Sequence, residues 1–279
     1  MEDDKRMLDI HPNEKKQKLQ NYIKNLGSIA IAYSGGVDST FLLKIAHEVL
    51  AERCIAITAK SSTYPEREYL AATRFCQEHG IHHISIESEE LDIEGFASNP
   101  INRCYYCKKE LYTKIWRVVK EYGILHIADG SNLDDLGDFR PGMEAAREQN
   151  VISPLQECKL TKEDIRYLSK EMELPTWDKP SFACLSSRFP YGHTITREKL
   201  SMVEQAEDYL RNLGFRQIRV RHHGDIARIE VDRDERELFF HQDKMDQIST
   251  NLKKLGFSYI TLDLQGYRTG SMNETIIKT

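Results

Sequence analysis

The sequence predicts an α/β chain, in which a parallel sheet covered by helices is followed by a smaller C-terminal α+β domain. Three observations predict it. Short apolar runs alternate with helical patterns through the first half, and a glycine pair separates one such run from the helix after it. Near the end, a unit of helix, glycine and strand occurs twice. Alternation of this kind belongs to parallel strands joined by crossover helices.

Taken in order, Met1–Pro12 reads as a frayed, charged tail and 13–26 as an amphipathic helix. The apolar run 28–33 leads into a helix to Leu50, followed by the run 54–59, a helix over 65–78 and the run 81–86. A further helix covers 105–122, ahead of the run 124–128. Right-handed crossovers place the loops after each strand on one sheet edge, where α/β folds bind ligands. Asp38, the loop after Ala59 and the segment 129–138 all fall on that edge. Thr161-Lys-Glu-Asp164 forms a variant capping box that opens a helix to about Met172. The stretch 174–191 is proline-rich and irregular, and the domain boundary is expected after it, giving domains 1–191 and 192–279. In the second domain, helices ending at Gly214 and Gly256 feed strands at 216–221 and 259–264, with another strand at 226–231 between them. That order suggests a small domain of ferredoxin-like character.

Composition narrows the function classes. A chain of 279 residues, 40% hydrophobic and 30% charged, is ordinary for a soluble globular protein. No apolar run nears the roughly 20 residues of a membrane span, and the charged N-terminus does not read as a signal peptide. A cytoplasmic protein with no membrane partner is therefore expected. The formal net charge is −5, and residues 190–279 carry fourteen basic and fourteen acidic side chains. That balance argues against a nucleic-acid partner.

The strongest motif is Ser34-Gly35-Gly36-Val37-Asp38-Ser39. Its glycines let backbone N–H groups approach an anion, and the following helix adds free N–H donors and the positive end of its dipole. Ser34 and Ser39 add hydroxyls, and Asp38 stands where Mg2+ on a phosphate could sit. The Gly-Lys-Ser/Thr ending of a kinase or GTPase loop is missing, which disfavours that chemistry.

Six cysteines are expected to be thiols rather than disulfides. Cys54 and Cys76 read as core residues, and Cys158 lies in a polar connector. Cys104 and Cys107 have CxxC spacing at a helix start beside Arg103, Lys108 and Lys109, a setting that favours metal ligation or redox work. Cys184 lies in the irregular loop. Three thiolates are one short of the usual four around an iron–sulfur cube, which leaves an iron free for sulfide. The segment 129–142 holds four carboxylates, Asn132 and Arg140, and suits a metal, a ribose or a phosphate clamp. Lys108, Lys162, Arg166 and Arg188 are further candidate clamps. Arg219 and Arg221 share one strand face and suit a phosphate-bearing substrate, an oligomer contact or ion pairs within the domain.

Ser34–Ser39 is similar to the pyrophosphate loop of PP-loop enzymes, which cleave ATP to AMP and pyrophosphate. Together with Arg103–Lys108, Asp129–Gly142, Lys179–Gly192, the Arg219/Arg221 strand and Thr261–Arg268, it resembles the LarE family. These are ATP-dependent sulfur transferases of nickel-pincer nucleotide biosynthesis, and the resemblance runs from about Gln17 to the C-terminus. It implies an adenine-nucleotide α-hydrolase-like (PP-loop) domain with a smaller α+β domain used in homo-oligomerisation. It also implies adenylation of the carboxylates of a small-molecule substrate, pyridinium-3,5-biscarboxylate mononucleotide, and replacement of oxygen by sulfur. Carried onto this chain, Ser34, Gly35, Gly36, Asp38 and Ser39 would hold ATP, with Asp38 on Mg2+. Ala59, Gly130, Arg140, Arg188, Arg219 and Arg221 would line the nucleotide and substrate positions, and Lys108 would be an active-site lysine. Cys184 matches the sulfur-bearing cysteine. In one branch that cysteine gives up its own sulfur. In the other, three cysteines bind a 4Fe-4S cluster that passes on sulfide from a donor, and Cys104, Cys107 and Cys184 match that branch. A PP-loop tRNA thiolase and an amide-forming PP-loop ligase remain as alternatives.

Overall fold

A computed structural model describes residues 11–137, 141–268, 270 and 271. The chain divides into two compact units. One comprises the described parts of 1–88 and 102–182, and the other those of 89–101 and 183–279. The division falls after Phe182, where the sequence reading placed it after 191. It also gives the short excursion 89–101 to the smaller unit. Backbone pairing accounts for the excursion: Gly192 N donates to Asn99 O at 3.0 Å and Ile195 N to Ala97 O at 2.8 Å. Asn99 Nδ2 adds a bond to Pro190 O at 2.7 Å.

The larger unit opens with helix α1 (Pro12–Leu26), strand β1 (Ile29–Ala32) and helix α2 (Val37–Leu50). Strand β2 (Cys54–Lys60), helix α3 (Glu66–Glu78) and strand β3 (His82–Glu87) follow. After the excursion come helix α4 (Arg103–Glu121), strand β4 (Ile127–Ala128), helix α5 (Pro141–Glu148) and strand β5 (Val151–Ile152). Two further helices close it, α6 (Pro154–Glu157) and α7 (Lys162–Glu171). All five strands run parallel in the order β3-β2-β1-β4-β5. The order reverses between β1 and β4, and the crevice at such a switch point is where open parallel sheets take ligands.

The period of two in β1 divides the core. Ile29 and Ile31 pack on one face with Leu19, Ile23, Phe41 and Leu168, while Ala30 packs on the other with Tyr112, Ile115 and Val119. Burying each large apolar side chain stabilises by about 1.5–3 kcal/mol, so sheet and helices hold each other. The capping box of α7 forms as expected, with Asp164 N on Thr161 Oγ1 at 3.1 Å and Thr161 N on Asp164 Oδ2 at 2.9 Å. Buried Lys15 of α1 pairs with the same carboxylate at 2.7 Å. Strand β5 and helices α5 and α6 are absent from the sequence reading, because a strand of two residues and helices of eight and four are too short to show a clear period.

The smaller unit holds helix α8 (Arg197–Asn212), strands β6 (Ile218–His223) and β7 (Ile226–Val231), helix α9 (Gln242–Lys254) and strand β8 (Tyr259–Leu262). Its sheet order is β6-β7-β8, with β6–β7 antiparallel and β7–β8 parallel. A full ferredoxin-like arrangement is not what forms among the described residues. The turn at Gly224 (φ +65°) makes β6–β7 a hairpin, while the passage through α9 requires a parallel partner for β8. Among the described residues, no helix is long and apolar enough to cross a membrane.

Candidate functional site

In the larger unit the glycine loop sits at the end of β1. Tyr33 N extends the ladder to Ile57 O at 2.8 Å before the chain turns. Gly35 takes φ +63°, and a Cβ on it would lie 3.3 Å from Ala72 Cβ, so the loop packs against α3 through the missing side chain. Gly36 is the N-cap of α2 and gives that helix no side-chain cap. Its N-terminal N–H groups, with the Ser34 and Ser39 hydroxyls 3.1 Å apart beside them, form a cradle for an anion. Gly130, just after β4, completes it: a Cβ there would stand 2.9 Å from Ser39 N. The loops after β1 and β4 thus touch at the switch point.

Asp38 receives Lys162 Nζ in an ion pair and Asn132 Nδ2 at 3.3 Å. The described carboxylates of the acidic loop serve the fold. Asp129 accepts from Tyr112 OH at 3.3 Å, Ser131 Oγ at 2.9 Å and Ser153 Oγ at 2.8 Å. Asp134 accepts from Lys162 N at 2.7 Å and Asp135 from Asn132 N at 2.9 Å. Asp138 and Arg140 lie outside the described residues. Among the described residues, no group of three or more His, Cys, Asp or Glu side chains is gathered for a metal ion. Ala59 stands at the C-terminal end of β2.

Lys108 projects from α4 with its Nζ 5.3 Å from the centre of the Tyr112 ring. Gly142 makes room for it, since a Cβ there would meet Lys108 Cγ at 3.0 Å. Tyr112 and, against the cost of burial, Asp129 hold the Lys108 ammonium well above its ordinary pKa. Arg166, a candidate clamp, instead donates to the backbone carbonyls of Trp177 at 2.7 Å and Lys179 at 2.8 Å.

Three residues of this site escaped the sequence reading. Tyr64 OH donates to Ser34 O at 2.9 Å, Lys179 Nζ donates to Gly35 O at 2.8 Å, and Glu68 pairs with Lys179 at 2.6 Å. Tyr64 and Lys179 lie in aperiodic stretches, and Glu68 reads as one more surface charge of a helix. No local signal marks them.

The cysteines fall into two sets. Cys54, Cys76 and Cys158 are buried, and burial pushes their thiols up to about 12, 12 and 11. They are inert packing groups. Cys104 is exposed in the first turn of α4, and Cys107 and Cys184 are half-buried. In the smaller unit, Cys184 caps a 3-10 turn (Leu185–Arg188), and its carbonyl accepts from Ser187 N at 3.0 Å, Ser187 Oγ at 2.8 Å and Arg188 NH1 at 3.0 Å. The backbone is tied down while the thiol stays accessible.

Arg188, a candidate phosphate or carboxylate clamp, holds a carboxylate of the fold and is the tether of that turn. It is fully buried, and its other two guanidinium nitrogens grip Glu207 at 2.8 and 2.9 Å. Burial disfavours the Glu207 carboxylate, but Arg188 more than offsets it and holds the carboxyl down at about 2. Arg221 reaches Glu230 at 2.7 Å and Ser187 O at 2.9 Å, leaving a buried Nε without an acceptor among the described residues. Arg219 stacks its guanidinium 5.2 Å from the Tyr267 ring centre, and burial together with Arg188 lowers its pKa to about 10. Three buried arginines, Arg188, Arg219 and Arg221, thus sit with three buried glutamates, Glu90, Glu207 and Glu230, in this unit.

Comparison with known proteins agrees with this geometry. The NAD synthase family pattern matches residues 12–103, which include the glycine loop. An uncharacterized protein of Synechocystis is 41% identical over 264 residues, covering 95% of this chain and 98% of its own. The pyridinium-3,5-bisthiocarboxylic acid mononucleotide synthase of Lactiplantibacillus plantarum is 38% identical over 267 residues and 95% of each chain. An uncharacterized protein of Methanocaldococcus jannaschii is 30% identical over 261 residues, 91% of this chain and 96% of its own. An ATP cradle at a sheet switch point and end-to-end likeness to a sulfur-inserting synthase lead to one conclusion: the chain belongs to the LarE family of ATP-dependent sulfur transferases, in the PP-loop group.

Proposed function

We infer that this enzyme adenylates the carboxylates of pyridinium-3,5-biscarboxylate mononucleotide and exchanges a carboxyl oxygen for sulfur, yielding the thiocarboxylate precursor of the nickel-pincer nucleotide. The observation that carries the reading is the likeness to the Lactiplantibacillus synthase over 95% of both chains. A substrate carboxylate attacks the α-phosphorus of ATP and expels pyrophosphate. Sulfide sulfur then attacks the acyl carbon, and AMP departs with the former carboxyl oxygen. Hydroxide is a poor leaving group and AMP a good one, which is why ATP is used. The loop N–H groups at Gly35 and Gly36 and the hydroxyls of Ser34 and Ser39 would receive the pyrophosphate. Asp38 would hold Mg2+, a single carboxylate beside a phosphate cradle being the donor set that ion takes. Lys108, held cationic, would face charge growing at the α-phosphate. Arg219 and Arg221 of the smaller unit, with a buried Arg221 Nε still without an acceptor among the described residues, would receive the anionic mononucleotide.

Cys104, Cys107 and Cys184 would hold a 4Fe-4S cluster, which supplies sulfide when bound. Support comes from their exposure, in contrast to the buried Cys54, Cys76 and Cys158. We place the enzyme in the cytoplasm, where cysteines are kept as thiols. Exposed Phe240, Tyr259 and Leu264 on the smaller unit suit contact with a second copy.

Anaerobic incubation with ATP, Mg2+, sulfide and the mononucleotide should give AMP and a product in which sulfur replaces oxygen. Unchanged turnover in a triple Cys→Ser variant would instead indicate an amide-forming ligase. Tight tRNA binding that falls steeply with salt would indicate the thiolase.

A further inference from the structure

The carbonyls of Ser34 and Gly35 are each held from behind. Tyr64 OH donates to the first at 2.9 Å, and Lys179 Nζ donates to the second at 2.8 Å. In a planar trans peptide the carbonyl of one residue and the N–H of the next point in opposite directions. Holding the Ser34 carbonyl therefore aims the Gly35 N–H the other way, and holding the Gly35 carbonyl does the same for the Gly36 N–H. Gly35 has a positive φ and no Cβ, so its own backbone chemistry leaves these planes free to rotate. Something outside the loop must choose their orientation.

Both donors are themselves fixed. Glu68, on the helix against which Gly35 packs, pairs with Lys179 at 2.6 Å. Arg166 holds the Lys179 carbonyl at 2.8 Å. Tyr64 meets the Phe182 ring edge-on at 5.8 Å. Burial, with Glu68 next, raises the Tyr64 pKa, so the phenol stays a donor. We propose that Lys179, with Tyr64, is a positioning residue of the pyrophosphate loop, turning two successive N–H groups toward the phosphates. The proposal rests on ATP binding at this loop. Its consequence is selective: ligands that carry the pyrophosphate portion depend on Lys179, and a ligand without it does not.

Calorimetric titration of the full chain with MgATP and, separately, with AMP tests this. Lys179→Met should raise the Kd for MgATP about tenfold, equivalent to about 1.4 kcal/mol, and leave the Kd for AMP within about twofold. Lys179→Arg, which keeps a cationic donor, should recover most of the loss. Tyr64→Phe removes one hydroxyl and should give a smaller loss with the same selectivity, which serves should Lys179→Met fold poorly. Unaltered ATP affinity in Lys179→Met and Tyr64→Phe overturns the proposal, as does an equal loss for AMP, which would mark general loosening. Absence of ATP binding by the parent chain would overturn the nucleotide reading itself and this proposal with it.

Discussion

In the larger unit, the anion cradle is made of backbone N–H groups of a glycine turn and a helix N-terminus, apart from the Lys108 ammonium. In the smaller unit, the positive groups held inside the fold are guanidiniums. The first design depends on what is missing, since Gly35 and Gly130 bring Ala72 and Ser39 close only by having no Cβ. It adds partial charge without burying an ion. The second places Arg188, Arg219 and Arg221 in the interior and needs Glu207 and Glu230 as internal counter-charges. Backbone recognition is inexpensive to fold and sensitive to added atoms. Side-chain recognition is expensive to fold and sensitive to removed charges.

The largest test of that contrast is Glu207→Ala. It leaves Arg188 buried without its partner and should cost about 3–5 kcal/mol, read as a large fall in the denaturation midpoint. An unchanged midpoint would mean that the ion pair does not support the smaller unit. Acid titration sharpens the point. The Glu207 carboxyl lies at about 2, below its ordinary 4.5. Its contribution is therefore complete above pH 4.5 and lost as pH falls from there through about 2. Glu207→Gln should flatten the stability curve in that window.

Gly130→Ala tests the other design. The new methyl would meet Ser39 N at 2.9 Å. ATP affinity should drop about tenfold or more, while stability falls by about 1–3 kcal/mol. The reverse pattern, a severe stability loss with ATP binding intact, would show that Gly130 serves packing rather than the cradle. The smallest effect is expected at Thr161→Ala, which removes one half of the α7 capping box. About 1 kcal/mol should be lost in thermal denaturation. A somewhat weaker hold on Asp38 should follow, because Lys162 begins that helix.

Much of the larger unit was legible because its signals are local. The glycine loop, the start of α2 and the Thr161–Asp164 box each declare themselves within a few residues. Arg188 shows where such reading stops. Beside Cys184 it reads as a clamp for a phosphate or a carboxylate, and only the position of Glu207, nineteen residues on, makes it a tether. The acidic loop, whose four carboxylates suit a metal, a ribose or a phosphate clamp, also takes some of its partners from beyond local reach. Asp129, Asp134 and Asp135 are in fact turned to separate hydroxyls and backbone N–H groups.

Sequence alone determined the parallel α/β character, the phosphate-binding turn and the core placement of Cys54 and Cys76. These depend on hydrophobic period, capping and backbone freedom, whose range is a few residues. Tertiary structure decided the burial of Cys158 and what surrounds that turn. Lys162 reaches Asp38 across 124 positions, and Lys179 reaches Gly35 across 144. Contacts over such separations are set by strand order and helix packing, so no local pattern encodes them.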